Sequence, residues 1–194
     1  NKTVYKPESN IKIESFQINK YPLGDLTFNI EGNEAFNQFD VDAALTQEDE
    51  EKFYLDGTLD YINKQTHLKM EAGFDEFQLA PFGPLLSSIV SNVRGNATGR
   101  ATIRGLITEP EVDGRLYLND SGLKIPYLNT DYNFEENAIV DVTEHQFLFR
   151  NIRITDSKYN TNGVLHGSVK HKVFDDWEID LEVKSDNLLA LDTN

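Results

Sequence analysis

The sequence predicts an all-β protein, a curved antiparallel meander with one short amphipathic helix. Residues 177–184 alternate apolar and charged side chains without a break. Because successive side chains of a strand point to opposite faces, such a segment has one apolar face and one hydrated face. The same alternation recurs in residues 26–30, 39–43, 68–72 and 112–118. A sheet with one dry face is therefore expected along most of the chain.

The ends of the strands are marked by proline and by turn residues. All six prolines lie where a strand can begin or end: Pro7, Pro22, Pro81, Pro84, Pro110 and Pro126. Residues typical of turns lie between alternating segments at 31–33, 119–122 and 159–162, and turns are expected there. The apolar parity flips across Ser15, which indicates a bulge or a strand break. We expect about a dozen short strands.

One segment, about residues 82–93, has the spacing of a helix instead of a strand. Its apolar residues recur at helical intervals, with Pro84 suited to the first turn and Gly95 to the stop. These apolar residues are Leu85, Leu86, Ile89, Val90 and Val93. The helix could be a fixed plug over an open end of the sheet or a movable lid over a ligand groove. The sequence alone does not separate the two.

Glycines alternate along three predicted strands on the same face as the apolar side chains. They occur in residues 99–105, 114–116 and 163–169. Interior glycine usually marks a bend, a bulge or a close approach, so a strongly coiled sheet is expected. Such a sheet hides its apolar face by sandwiching, by closing into a barrel, or by folding over like a gutter around something apolar.

Composition limits the classes of partner. The 194 residues favour a single domain. With 18 basic and 33 acidic residues, the net charge of −15 repels nucleic acid and anionic headgroups. Cysteine is absent, and no apolar run approaches the roughly 20 residues of a membrane span. Because residues 1–3 resemble neither a signal peptide nor an initiator, we expect a section excised from a longer protein.

No signature of catalysis or of metal binding is found, so we predict no enzyme, no cofactor and no metal. His166 and His171 lie five apart in a predicted strand, hence on opposite faces, and His67 and His145 lack neighbours at ligand spacing. Phosphate-binding glycine loops and nucleophile motifs are absent. The acidic residues 47–51 are interpreted as a solvated loop.

From Phe82 onward, a series of short motifs occurs in a characteristic order. They are residues 84–90, 95–99, 103–105, 109–118, 123–134, 149–152, 155–156, 163–167, 171, 174–177 and 188–192. In this order and spacing they resemble the TamB (translocation and assembly module) branch of the AsmA-like superfamily, in its Bacteroidota form. The resemblance covers about 110 residues, because residues 1–80 match only in their strand alternation.

The resemblance implies a β-taco, a sheet folded over along its length as an open groove, within a long envelope protein. That protein would be anchored in the inner membrane, span the periplasm and reach a barrel partner of the BamA/TamA kind in the outer membrane. Similar proteins are thought to conduct phospholipids and are linked to assembly of outer-membrane or secreted proteins. The family has no catalytic residues to carry over, so what it implies is a lipid-binding face.

On that face we place apolar residues from strands along the whole chain. They are Phe28, Ile30, Val41, Leu55, Leu59, Met70, Phe74, Ile103, Leu116, Leu118, Phe134, Val140, Phe147, Phe149, Leu165, Val169, Ile179, Leu181 and Val183. Phospholipid acyl chains are the expected ligand. In the alternative function, open strand edges add strands to client β-proteins during assembly. A carbohydrate-binding sandwich is a third hypothesis, which needs ring-stacking aromatics on the hydrated face. Edge-to-edge association of copies is also expected.

Overall fold

The computed structural model describes residues 5–87, 90–172 and 175–191. Strands account for 74% of the structure and helical turns for 5%, which confirms the all-β prediction. The strands are β1 (Glu8–Ile18), β2 (Tyr21–Gly32), β3 (Gln38–Gln47), β4 (Glu50–Ile62), β5 (Gln65–Gln78), β6 (Ser91–Leu106), β7 (Glu109–Ile125), β8 (Thr130–Phe134), β9 (Ala138–Thr143), β10 (Gln146–Asp156), β11 (Asn162–Lys172) and β12 (Asp175–Lys184). Two 3-10 helices complete the fold, η1 (Ala80–Leu86) and η2 (Pro126–Leu128).

The twelve strands form one antiparallel meander. Each strand pairs with the next along the chain, except that β8 and β9 both lie between β7 and β10. These two short strands run in the same direction and act as one strand interrupted at residues 135–137. The sheet therefore has eleven positions, from β1 at one edge to β12 at the other. In the part of the chain that the structure describes, neither edge strand pairs with the other.

The sheet is curved, and four of its bulges lie in line. The pairing register shifts next to Ile13, Leu45, Phe74 and Phe149, and the extra residues lie on strands β1, β4, β5 and β10. The shift in β1 confirms the bulge predicted at Ser15, whose φ is 53°. Because each bulge bends its strand and increases the local twist, a line of them across the sheet bends many strands at the same level.

The predicted helix from Pro84 to Val93 is wrong beyond its first turn. The chain forms η1, which ends at Leu86, and β6 has begun by Ser91. Val93 is a strand residue, half-buried, while Val90 is buried in the connection. Of the other predicted plug residues, Leu86 is half-buried, and Ile89 and the side chain of Leu85 lie outside the described residues.

Local sequence and strand pairing explain the short helix. Pro81 and Pro84 lack the N–H that an α-helix needs, and Gly83 lies between them. An isolated helix of ten residues is only marginally stable. When Ser91 and Arg94 pair with β7, the backbone forms the hydrogen bonds of a sheet instead.

The turn predicted at residues 119–122 is also wrong. Strand β7 continues through it to Ile125, with Asp120 at φ 48° as a local irregularity. Arg94, on β6, donates hydrogen bonds to the Asp131 carboxylate (2.7 Å) and the Tyr132 carbonyl (3.1 Å) on β8. Pairing with strands on both sides overrides the local turn preference of Asn-Asp-Ser-Gly.

Two clusters of buried side chains lie on the apolar face. The first joins β1–β5 to η1 and is built around Leu23, Leu45 and Phe77, with Phe82 of η1 packed 5.9 Å from the Phe77 ring. Asn19, between β1 and β2, donates a 2.8 Å hydrogen bond to the Pro81 carbonyl. Helix η1 therefore covers this end of the strands. The second cluster spans β6–β11: Ala97, Leu118, Tyr132, Ala138, Val140, Ile152, Ile154 and Leu165.

One glycine position should be intolerant of any side chain. Gly167 has φ +133°, and a Cβ there would lie 2.1 Å from the Asp180 carbonyl oxygen of β12. We expect Gly167→Ala to lower the free energy of unfolding by about 2 kcal/mol or more, because a strained φ and a backbone clash add. Chemical denaturation measures this. Gly83→Ala is the matched control, since its added Cβ would lie at ordinary distance, 3.5 Å, from Val93. Equal unfolding midpoints for the two variants would contradict the prediction.

Candidate functional site: an apolar face across the sheet

The apolar face contains two adjacent rows without a polar side chain. We call them the first row and the second row, and each has one residue at every one of the eleven sheet positions. The first row, from β1 to β12, is Ile13, Leu26, Leu45, Phe53, Phe74, Gly99, Leu116, Val140, Phe149, Gly167 and Leu181. The second row is Ile11, Phe28, Ala43, Leu55, Ala72, Ala101, Gly114, Val142, Phe147, Val169 and Ile179.

The two rows form a long dry surface. Strands are spaced about 4.8 Å apart, so ten spacings extend about 50 Å from β1 to β12. This exceeds the roughly 15 Å of one leaflet's hydrocarbon region, half of a bilayer core. The line of bulges runs directly beside the first row, so the strands bend next to it. The apolar surface and the curvature thus follow the same direction across the sheet.

The register brings all nineteen residues of the predicted face to this one side of the sheet, in and beside the two rows. They differ in exposure. Five are buried: Val41, Met70, Leu118, Val140 and Leu165. Eleven are half-buried: Phe28, Ile30, Leu55, Leu59, Phe74, Ile103, Leu116, Phe134, Phe147, Phe149 and Val169. Three, all on β12, are exposed: Ile179, Leu181 and Val183.

Both edges of the face are uncovered. On β12 the exposed fraction is 38% for Ile179 and 38% for Leu181, and on β1 it is 47% for Ile11 and 44% for Ile13. In the middle of the sheet the small residues are closed off, with Ala72 only 5% exposed. Larger neighbouring side chains therefore cover the small residues in the centre of the face, and the apolar side chains of the face contact solvent mainly at its two edges.

Sequence reasoning missed part of the face. Leu26, Leu45 and Phe53 belong to the first row but were not placed on the predicted face. Leu26 already lies in the alternating run 26–30, and Leu45 and Phe53 lie one step of the alternation from Ala43 and Leu55. Ala43, Ala72 and Ala101 fill the second row but carry little apolar signal, because alanine is common on both faces of a strand.

A second covering segment, residues 185–191, follows β12. Leu188 packs against the second cluster. The Tyr132 hydroxyl donates a 2.7 Å hydrogen bond to the Leu189 carbonyl, and the Leu189 N–H donates a 2.9 Å bond to the Thr161 hydroxyl. This segment and η1 both lie at the end of the sheet where β1, β3, β5, β10 and β12 finish. Both therefore cover the same end of the apolar face.

A histidine lies beside aromatic rings on the apolar face. His171 is 6% exposed, with its ring centroid 5.5 Å from that of Phe147 and 5.4 Å from that of Trp177. Its backbone N–H donates a 2.8 Å hydrogen bond to the His145 carbonyl. Burial, and then the nearby His145, hold the pKa of the His171 imidazole below its ordinary value of 6.5.

Acid should therefore weaken this corner of the sheet. Because the folded-state pKa of His171 is depressed, the unfolded chain takes up the proton first, and stability falls as pH drops below about 6.5 and through the folded pKa. We expect the unfolding midpoint to fall more between pH 7.5 and pH 5 in the parent protein than in His171→Phe. Thermal melts followed by Trp177 fluorescence measure the difference. Equal pH dependence in the parent protein and in His171→Phe would refute this prediction. The variant His145→Gln measures how much of the pH dependence comes from the exposed His145 instead.

The hydrated face near β1–β4 is strongly acidic. A depression of about 420 Å³ there has five carboxylates in its lining: Glu8, Glu31, Asp40, Asp42 and Asp56. Asp56 lies directly opposite Asp42 on one side and Glu71 on the other. Like charges opposite one another destabilise a sheet. This surface does not suit an anionic or apolar ligand, and among the described residues no group that could hold a metal ion is present.

Removing one charge from the row formed by Asp42, Asp56 and Glu71 should stabilise the protein. We expect Asp56→Asn to raise the free energy of unfolding by about 0.5–1 kcal/mol at low ionic strength, and by less in 1 M salt, which screens the repulsion. The control is Asp113→Asn, since Asp113 is exposed on the same face but lies between Thr102 and Thr143. If both variants gained equally, overall charge and not local pairing would be the cause.

The fold and the site define a class: an all-β protein whose curved antiparallel sheet carries one continuous apolar face. Neither a protein-family model, nor a curated protein, nor a solved structure matches this chain. In the described part of the chain, no helix has both the length and the apolar character needed to cross a membrane. The particular function is therefore argued from the two apolar rows.

Proposed function

We propose that this chain is a section of a longer, TamB-like protein of the cell envelope, and that its apolar face carries phospholipid acyl chains between the inner and outer membranes. The observation that supports this most is the pair of unbroken apolar rows across eleven strands. In a closed core the apolar side chains at the edges of a sheet are covered, whereas those on β1 and β12 are exposed here, and exposed apolar surface is typical of an interaction site.

The uncovered edges fit a section of a longer groove. Ile11 and Ile13 at one edge, and Ile179 and Leu181 at the other, would be buried if the sheet continued on both sides. The rows would then run on into the neighbouring sections. In this proposal the whole protein is anchored in the inner membrane, crosses the periplasm and meets an outer-membrane barrel protein. The acidic outer face of the sheet stays hydrated and keeps the protein soluble along the groove.

The proposal predicts lipid on the purified protein. Native mass spectrometry of protein isolated without detergent exchange should show mass increments of one or more phospholipids, released by solvent extraction and identified by fragmentation. The control is Asp113→Asn, which leaves both rows intact. Protein that is free of lipid as isolated, and that also takes up none from vesicles, would count against the proposal.

A further inference from the structure

The hydrated face of the central strands carries a pair of apolar side chains. Tyr117 on β7 and Ile139 on β9 lie directly opposite each other. They follow and precede the first-row residues Leu116 and Val140, so they belong to the other face of the sheet. Both are 38% exposed. Isolated exposed apolar residues are ordinary, whereas directly opposite side chains lie about 5 Å apart and form one small apolar surface.

Three arginines adjoin this pair on the same face. Arg100 on β6 lies directly opposite Arg115 on β7. Arg150 on β10 shares the carboxylate of Asp141 with Arg115. The side chains of Arg100, Arg115 and Arg150 are 75%, 54% and 62% exposed. The five residues that we call the outer patch are Arg100, Arg115, Tyr117, Ile139 and Arg150.

The arginines of the outer patch outnumber the carboxylates that hold them. The Nε atoms of Arg115 and Arg150 lie 2.7 Å and 3.1 Å from the two oxygens of Asp141. Arg100 lies 3.6 Å from the Glu71 carboxylate. Three guanidinium groups therefore share two carboxylates, which leaves one net positive charge here in a chain of net charge −15. Because like charges directly opposite each other destabilise a sheet, a further carboxylate beside Arg100 and Arg115 would be favourable.

The size and composition of the outer patch fit a short segment of protein. From β6 to β10 it crosses three strand spacings, about 14 Å, which is the length of about four extended residues. Beyond it the hydrated face carries the exposed carboxylates of Asp42, Asp56 and Asp113, which would repel a long polyanion such as nucleic acid. Tyrosine and arginine are enriched among the residues that dominate binding at protein interfaces.

The exposure of the outer patch does not depend on how far the sheet extends. Strand β7 pairs with β6 and β9, and β9 pairs with β7 and β10. These strands are therefore paired on both sides. A sheet that continued beyond β1 or β12 would leave the patch accessible, and a lipid on the apolar face would lie on the opposite side of the sheet.

We infer that the outer patch is a docking site for another protein, which contributes a short acidic segment. An apolar side chain of that segment packs against Tyr117 and Ile139. Asp or Glu residues on either side of it bind Arg100 at one end and Arg150 at the other, and so relieve the excess of positive charge. This inference does not rest on the proposed function, because the patch and the two rows lie on opposite faces.

Three synthetic seven-residue peptides test the inference: one with a central Phe between Asp and Glu residues, one with the same Phe between Lys residues, and one acidic peptide with Ser in place of Phe. Titration calorimetry measures their binding, and only the first should bind. With photoreactive benzoylphenylalanine as its central residue, that peptide should crosslink to β7 and β9 around Tyr117 and Ile139. The inference would be overturned by an absence of binding, by crosslinks elsewhere, or by equal binding of the two acidic peptides, which would show a simple anion site.

Matched variants separate the outer patch from the overall charge. Arg100→Gln/Arg150→Gln and Tyr117→Ser should each lower the affinity for the acidic Phe peptide about tenfold. The control, Lys69→Gln/Arg104→Gln, removes two positive charges from an exposed, directly opposite pair on β5 and β6, and should change the affinity less than about twofold. Equal losses in the two double variants would contradict the inference. So would self-association of the protein that Arg100→Gln/Arg150→Gln abolishes, since the partner would then be a second copy. Melting curves establish that the variants are folded.

Discussion

Phe149→Asp should abolish the capture of phospholipid. Phe149 and Leu116 flank Val140 in the first row, so a carboxylate at either position interrupts the apolar surface near its middle. An unpaired carboxylate in apolar surroundings costs several kcal/mol, and each 1.4 kcal/mol is tenfold in affinity. We expect photo-crosslinking to a lipid with a reactive acyl chain to fall by at least about tenfold in Phe149→Asp and Leu116→Asp.

Two comparisons keep this test decisive. Asp113→Asn and Glu178→Gln alter the hydrated face by one charge and should capture lipid as the parent does. Because a charge at Phe149 could also unfold the protein, Ile179→Asp provides a milder change: Ile179 is in the second row but 38% exposed, so water can solvate the carboxylate. Equal capture by folded variants of both faces would show that the rows do not carry lipid.

Asp156→Ala should cause the largest loss of stability. Asp156 is 1% exposed, and its carboxylate accepts hydrogen bonds from the N–H groups of Lys158 (3.0 Å), Tyr159 (2.8 Å) and Thr161 (2.8 Å) and from the Thr161 hydroxyl. Alanine leaves these donors without the carboxylate that satisfies them. We expect the free energy of unfolding to drop by about 3 kcal/mol or more, measured by chemical denaturation.

The same carboxylate links stability to pH. Burial acts to raise the pKa of Asp156, but the hydrogen bonds from Thr161, Tyr159 and Lys158 outweigh it and hold the pKa below 3.8. Its contribution is therefore complete above about pH 4 and lost as pH falls through the folded-state pKa.

Asp156→Asn is the graded control for the alanine variant. It keeps one acceptor oxygen and should lose about half as much stability. A loss below about 0.5 kcal/mol in Asp156→Ala would show that the loop holds its shape without the carboxylate.

Several elements were predictable because their signal is local. The alternation in residues 177–184 predicted β12, which is observed at Asp175–Lys184. The change of parity across Ser15 predicted the bulge in β1. In both cases the information lies within a few residues, because the two faces of a strand alternate with a period of two.

Two elements were mispredicted because neighbouring strands outweighed local preference. The helical spacing from Pro84 to Val93 did not make a helix, since Ser91 and Arg94 pair with β7. The turn residues 119–122 lie inside β7 for the same reason. A short segment has too little intrinsic stability to resist a ladder of backbone hydrogen bonds.

The sequence by itself determined the all-β class, the apolar character of one face and the acidic character of the other, because each follows from which residue types alternate along one strand. The tertiary structure alone decided which side chains stand next to each other across strands. It aligned Ile13, Leu45, Phe74 and Phe149 beside their bulges and brought Leu188 onto the second cluster. Register depends on pairing between residues far apart in the chain, and a one-residue slip would move every side chain to the other face.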